Sequence, residues 1–157
     1  MNPLTISLTC LLALGQADAV EVRVETNVDV PMRDGVILRA DVHRPDRGGP
    51  YPVLVMRTPY SKQGRRFDRF VKAGYIVVCQ DARGRYESDG RWESFVRPET
   101  HDAVDGYDTV EWAAKLPGSN GKVGTFGASY NAFLQWRLAP LRPPSLAAMA
   151  AFSIPAR

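Results

Sequence analysis

The sequence predicts an α/β fold with a mostly parallel sheet and an antiparallel hairpin at its N-terminal edge. Three observations carry this reading. Two stretches of alternating apolar and polar residues flank an Asp-Gly turn near the start. Continuous apolar runs follow, of the kind that form strands buried on both faces. Segments with helical spacing separate those runs, and repeated strand–helix units favour a parallel sheet.

The elements follow in order. Val22, Val24, Val28 and Val30 alternate with polar neighbours, which predicts a half-buried strand. Met32-Arg33-Asp34-Gly35 is the turn, and alternation resumes from Val36 to His43. Pro45 to Pro52 is a turn-rich loop, and Val53-Leu54-Val55-Met56 is the first continuous apolar run. From Arg66 to Ala73 a short helix would gather Phe67, Phe70 and Val71 on one side, with Gly74 closing it. Tyr75 to Cys79 is the next buried strand.

A polar loop spans Asp81 to Glu99, where Arg83, Arg85 and Arg91 interleave with Asp81, Glu87, Asp89 and Glu93. That mixture predicts a solvated surface. Thr100 or Asp102 would cap the next helix, in which Ala103, Val104, Tyr107, Val110, Glu111 and Ala114 recur near the helical period. Pro117 to Gly121 is a turn and Lys122 to Phe126 a short strand. Tyr130 to Leu138 is helical, stopped by Pro140 and Pro143-Pro144, and Leu146 to Phe152 is a last buried strand.

Composition narrows the class. The 157 residues suffice for one modest domain, and 45% apolar with 24% charged residues is ordinary for a globular protein. The net charge of +3 comes from dispersed basic residues with no basic-aromatic stripe, so no nucleic-acid partner is expected. Leu4 to Leu14 is apolar and Ala17-Asp18-Ala19 fits a small-x-small cleavage site, which predicts a signal peptide over residues 1–19 and a secreted or periplasmic chain. No Lys or Arg precedes Leu4, so the N-terminal amine would supply the leader's charge. The apolar stretch is shorter than the ~20 residues of a membrane span, so no membrane association is expected after cleavage. With Cys10 removed, Cys79 remains as one thiol inside an apolar run, expected buried and inert. No feature specifies an oligomeric state.

The chemistry gathers at Gly127-Ala128-Ser129-Tyr130, between a predicted strand and a predicted helix. This is the setting of a nucleophile elbow, whose tight turn pushes the serine hydroxyl out at the strand end. Strand and helix approach closely there, so flanking side chains must be small, as are Gly127, Ala128 and, one turn on, Ala132. The helix N-terminus offers N–H donors and a positive dipole end to a developing oxyanion. The competing reading is Ser129 as a helix N-cap, a common role for Ser.

Other sites fail on spacing. Gly118 to Lys122 is too short for a phosphate-binding P-loop. Two distant histidines and one cysteine do not make a zinc site, and Asp81 to Asp89 is misspaced for a calcium loop. Neither metal nor cofactor is expected.

Six segments widen the case: Pro31-Met32-Arg33-Asp34-Gly35, Ala40-Asp41-Val42-His43-Arg44-Pro45, Arg57-Thr58-Pro59-Tyr60, Gln80-Asp81-Ala82-Arg83-Gly84-Arg85, Asp105-Gly106-Tyr107-Asp108-Thr109-Val110-Glu111-Trp112 and Gly127-Ala128-Ser129-Tyr130. In this order they resemble the cocaine esterase and X-Pro dipeptidyl-peptidase family of α/β-hydrolases, which includes glutaryl-cephalosporin acylases and α-amino acid ester hydrolases. The resemblance covers nearly all of Val22 to Phe152. It implies that residues 20–157 are the N-terminal part of an α/β-hydrolase domain. It also implies a serine hydrolase that cleaves a small ester, amide or peptide through an acyl-enzyme. Ser129 would be the nucleophile. Tyr60 would match the family's tyrosine whose hydroxyl is one arm of the oxyanion hole. The backbone N–H of Tyr130 would be the other arm, as the residue after the nucleophile. The same motifs fit an X-Pro dipeptidyl peptidase, and a non-catalytic remnant or binding module is the rival reading.

The sequence departs from the family in having Ala132 for a common Gly, and Gly118 after Pro117 where a Trp-containing turn is usual. After Ser129 there is no Asp, Glu or His, although α/β-hydrolases place the acid and then the histidine there. His43 and His101 both precede Ser129 and are expected in surface or capping roles. The expectation is a domain truncated before the triad Asp and His and the C-terminal β-sandwich, ending in an open sheet edge.

Overall fold

The computed structural model describes residues 20–93 and 101–154. The expected signal peptide at 1–19, and Thr100 as a cap, lie outside the described residues. The strands are β1 (Val22–Pro31), β2 (Ile37–Pro45), β3 (Tyr51–Thr58), β4 (Ile76–Asp81), β5 (Ser119–Ala128) and β6 (Leu146–Phe152). The helices are α1 (Asp68–Lys72), α2 (Asp102–Ala114) and α3 (Tyr130–Leu138). The strands form one sheet in the order β1-β2-β4-β3-β5-β6.

The hairpin forms where the sequence predicts it. Met32 N–H donates to Val36 O at 2.9 Å, and Asp34 Oδ1 accepts from Val36 N–H at 3.2 Å. β1 and β2 then pair antiparallel, as do β2 and β4. Beyond β4 every pairing is parallel: β4 with β3, β3 with β5, and β5 with β6. The α/β architecture expected from the sequence is therefore present, with its antiparallel N-terminal edge.

All six residues of β4 are buried, and their alternation divides the core. Ile76 and Val78 join Val53, Val55, Val110, Val123 and Leu138 on one face. Val77 and Cys79 join Met56, Phe67 and Val71 on the other. Cys79 is fully buried, and burial pushes its thiol up to about 12, so it is inert as a nucleophile at neutral pH. No helix among the described residues is long and apolar enough to cross a membrane.

Several expectations are corrected. β6 is not a buried strand: it lies at the sheet edge, and Phe152 is 60% exposed. An apolar run signals burial only where layers cover both faces, and the described helices leave most of β6 open. β1, at the opposite edge, buries only Val30 fully. α1 is shorter than the expected 66–73, and β5 starts at Ser119, taking in residues read as a turn. The N-cap position of α2 is His101, without a side-chain cap bond, and Asp102 is already helical and buried.

His43 is corrected from surface to core. β2 lies inside the sheet between β1 and β4, so His43 is only 6% exposed and sets its ring edge-on to Phe67 at 5.1 Å. Burial pushes its pKa below the ordinary 6.5, against the smaller opposing pull of Asp41 and Asp68. The neutral form is thus favoured by folding. Its stabilising contribution is complete above the unfolded pKa of about 6.5 and is lost as pH falls through the lower folded value. Urea unfolding of His43→Leu between about pH 7 and pH 5 is expected to show a weaker loss of stability than the parent over that interval. Parallel pH curves would remove His43 as the source.

The loop after β4 is not a solvated mixed surface throughout. Asp81, Arg83 and Ser88 are buried. Arg83 makes a two-pronged bond to Asp105, Nε to Oδ2 at 2.9 Å and Nη2 to Oδ1 at 2.6 Å, and its Nη1 lies 2.9 Å from Asp34 Oδ2. Arg57 donates from Nε to Gln80 Oε1 at 2.8 Å and from Nη1 to Asp102 O at 2.7 Å. These partners tie the start of α2 to the C-terminal ends of β3 and β4.

Candidate active site

Ser129 is the single residue between β5 and α3. Its backbone has φ 57° and ψ −124°, a conformation a non-glycine residue adopts only under local constraint. The constraints are visible. Ser129 N–H donates to Phe152 O at 3.0 Å, and Ser129 O accepts from the N–H groups of Ala132 and Phe133, each at 3.0 Å. Its side chain makes no cap bond to α3, so the N-cap reading fails. Ser129 is exposed, and its hydroxyl stands 3.4 Å from the Tyr60 hydroxyl.

The small residues have the purpose the sequence suggests, with one refinement. A Cβ at Gly127 would lie 2.5 Å from Asn131 Cβ, so Asn131 marks the closest approach of helix to strand. Ala132 is fully buried one position further on. Gly127→Ala must force α3 away from β5, and chemical denaturation is expected to show a loss of about 1–3 kcal/mol, as for other overpacked sites. A stability unchanged from the parent would mean that the elbow tolerates a wider turn.

Tyr60 sits two residues beyond β3 and is 52% exposed. Its loop is tied at three successive points. Tyr60 N–H donates to Thr58 Oγ1 at 3.1 Å, Pro59 O accepts from Arg85 Nε at 3.1 Å, and Lys62 N–H donates to Asp81 Oδ1 at 2.8 Å. Lys62 is itself buried, with Nζ 3.4 Å from Asp41 and 3.7 Å from Asp81. Burial raises the Asp81 pKa, opposed by the bond from Lys62 and its charge. Tyr130 is the first residue of α3, so its backbone N–H belongs to the helix end that carries the positive dipole. Its ring is buried against Trp92 at 5.3 Å and Phe133 at 5.2 Å.

The fold thus brings Ser129 to Tyr60 across 69 residues, with Tyr130 adjacent in the chain. A hydroxyl nucleophile flanked by a phenolic donor and a helix N-terminus can attack a carbonyl and hold the resulting oxyanion. If Tyr60 is one donor, Tyr60→Phe is expected to lower kcat by about 10²–10³, with KM little changed. A change confined to KM would reassign Tyr60 to ground-state binding. The histidines are not part of this arrangement. His43 packs on Phe67, and His101 lies 3.9 Å from Asp34. Sequence reasoning missed Arg85, Trp92 and Lys62 as neighbours of the site. A charged loop carries no local sign of which of its residues turn inward.

Residues 34–156 match a family model described as X-Pro dipeptidyl-peptidase (S15 family). The chain is 44% identical over 124 residues to the cocaine esterase of Rhodococcus sp. (strain MB1 Bresler), covering 74% of this chain and 21% of that protein. It therefore spans about a fifth of the length of that relative. Among solved structures, an α-amino acid ester hydrolase superposes with a TM-score of 0.72 at 32% identity, over 95% of this chain and 28% of that one. A CocE/NonD family hydrolase from Staphylococcus aureus gives a TM-score of 0.70 at 32% identity, over 80% and 26%. An aminopeptidase from a marine sediment archaeon, Thaumarchaeota archaeon, gives 0.74 at 28% identity, over 92% and 27%. With residues 34–156 matched by the family model and 44% identity to the cocaine esterase over 74% of this chain, the chain belongs to the X-Pro dipeptidyl-peptidase (S15) family.

Proposed function

We propose that Ser129 is the nucleophile of a serine hydrolase that cleaves a small ester or amide through an acyl-enzyme. The observation that carries this is the Ser129 hydroxyl itself, held at φ 57° in the elbow, unused as a cap and 3.4 Å from the Tyr60 hydroxyl. In the first step Ser129 Oγ bonds to the carbonyl carbon, its proton passes to a base, and the carbonyl π pair moves onto oxygen. The Tyr60 hydroxyl and the Tyr130 N–H donate to that oxyanion. Collapse expels the alcohol or amine, which takes up the proton, and water repeats the sequence to release the acid.

No Asp, Glu or His follows Ser129 in these 157 residues, which span about a fifth of the cocaine esterase, and the nucleophile and oxyanion donors are the roles proposed for them. The 44% identity to a cocaine esterase favours an ester as substrate. The family description also supports an X-Pro dipeptide substrate. Both are tested on the intact protein with a p-nitrophenyl ester and an X-Pro p-nitroanilide. The expected result is a burst of about one equivalent of chromophore, with the acyl mass retained on the protein, for the ester before the anilide. No burst and no retained mass with either substrate would contradict a hydrolase and favour a non-catalytic binding role.

A further inference from the structure

We infer that Arg85 is a positioning residue that holds both arms of the oxyanion hole in register, an inference that rests on the assignment of Ser129, Tyr60 and Tyr130 above. Its Nε donates to Pro59 O at 3.1 Å, on the peptide that leads into Tyr60. Its guanidinium carbon lies 5.3 Å from the ring centroid of Trp92. Trp92 in turn packs on the ring of Tyr130 at 5.3 Å, and the backbone of Tyr130 is the second arm. A single planar cation therefore touches the residue before one donor and the ring that seats the other.

The loop around Arg85 is built to place it. Arg85 N–H donates to Ala82 O at 3.0 Å, and Ser88 N–H donates to Arg85 O at 3.0 Å. Gly84 has φ +64°, and a Cβ there would lie 2.1 Å from Trp92 N. Only glycine lets the chain at Trp92 lie back across the loop and reach the guanidinium. Tyr86, 59% exposed with its ring centroid 5.1 Å from the Arg85 guanidinium carbon, provides a second aromatic contact. Arginine suits this place because its guanidinium is flat and charged, stacks on rings and donates along fixed directions. Lysine offers one mobile ammonium and no face.

The consequence is kinetic. Oxyanion donors act on charge that develops in the transition state, so a small misplacement lowers kcat more than it weakens substrate binding. Part of the effect of substituting Arg85 acts through Tyr60, so the effect must shrink, to the part carried by Tyr130, once the Tyr60 hydroxyl is gone. A general loss of structure would add to the Tyr60 effect instead.

The test is a double-mutant cycle in the intact protein with a p-nitrophenyl ester. Arg85→Met and Arg85→Lys are each made alone and with Tyr60→Phe, and the thermal midpoints are recorded. Arg85→Met is expected to lower kcat about tenfold with KM changed less than about twofold, and Arg85→Lys less than Arg85→Met. In the Tyr60→Phe background the same substitutions are expected to cost less than about threefold. Additive effects, an unchanged kcat or a change in KM alone would overturn the role of Arg85. If Arg85→Met does not fold, the Arg85→Lys cycle decides by the same non-additivity. A parent protein with no Ser129-dependent burst would overturn the proposed function. A parent with the burst and an additive cycle would overturn only Arg85.

Discussion

Replacing Ser129 by Ala is expected to lower kcat for an activated ester by about 10⁶, the scale seen when a serine nucleophile is removed from a working site. Alanine keeps the Cβ and the backbone and deletes only the hydroxyl. That hydroxyl makes no cap bond, and the residue is exposed. The change is therefore expected to leave stability within about 0.5 kcal/mol of the parent, as for surface substitutions elsewhere. The two readouts together are the informative result. A large kinetic loss with an unchanged unfolding midpoint separates a nucleophile from a structural serine. A kinetic loss that tracks unfolding would assign Ser129 to the fold.

The second large effect is on stability. Asp105 is 1% exposed and is gripped by Arg83 through two bonds, with Arg57 Nη2 a further 3.6 Å away. Removing its carboxylate leaves the buried Arg57 head without its counter-charge and leaves Arg83 with Asp34 as its remaining carboxylate partner. Breaking one partner of such a buried pair costs about 3–5 kcal/mol, because the stranded charge keeps its desolvation penalty. Asp105→Ala is expected to lower the unfolding free energy by that amount in urea titrations. Asp108→Ala is the internal comparison. It also removes a two-pronged partner, here of Arg33, whose side chain is 55% exposed. Water replaces that partner, so the expected loss is below about 1 kcal/mol. Equal losses in the two variants would mean that the burial of Asp105 does not matter energetically.

Asp34, the other carboxylate partner of Arg83, adds a pH dependence. Arg83 bonds Asp34, and that bond lowers the Asp34 pKa, with burial opposing. A carboxylate held below its ordinary 3.8 contributes stability above that pH and loses it as pH falls through the folded value. The hairpin turn at Asp34 and the loop at Arg83 are thus joined through a pair that holds the Asp34 carboxyl below its ordinary range.

How much of this was legible in the sequence follows from distance along the chain. The elbow is local: a strand, two small residues, a serine and a helix follow one another without a break between Lys122 and Leu138, and the pattern exposes them directly. The hairpin is equally local, closed by Asp34 and Gly35. Tyr60 was legible only through its resemblance to a known motif, because the 69 residues that separate it from Ser129 hide the contact. The charged loop after β4 shows the limit most clearly. Arg83 and Asp81 read as surface charges until their partners Asp105 and Lys62 are known, and those partners come from separate elements. His43 was misplaced for the same reason: whether β2 is an edge strand depends on the pairing of β2 with β4, which no pattern within β2 records. β6 errs in the other direction. Its apolar content is real, but burial depends on covering layers that the run does not encode.

The central claim is that Ser129 is an activated nucleophile. Its most direct test is reaction of the intact folded protein with a fluorophosphonate probe, followed by proteolysis and mass mapping of the adduct. One adduct is expected, on Ser129, abolished by Ser129→Ala and by prior unfolding. An unmodified Ser129 in folded protein, or an adduct elsewhere that survives Ser129→Ala, would contradict it.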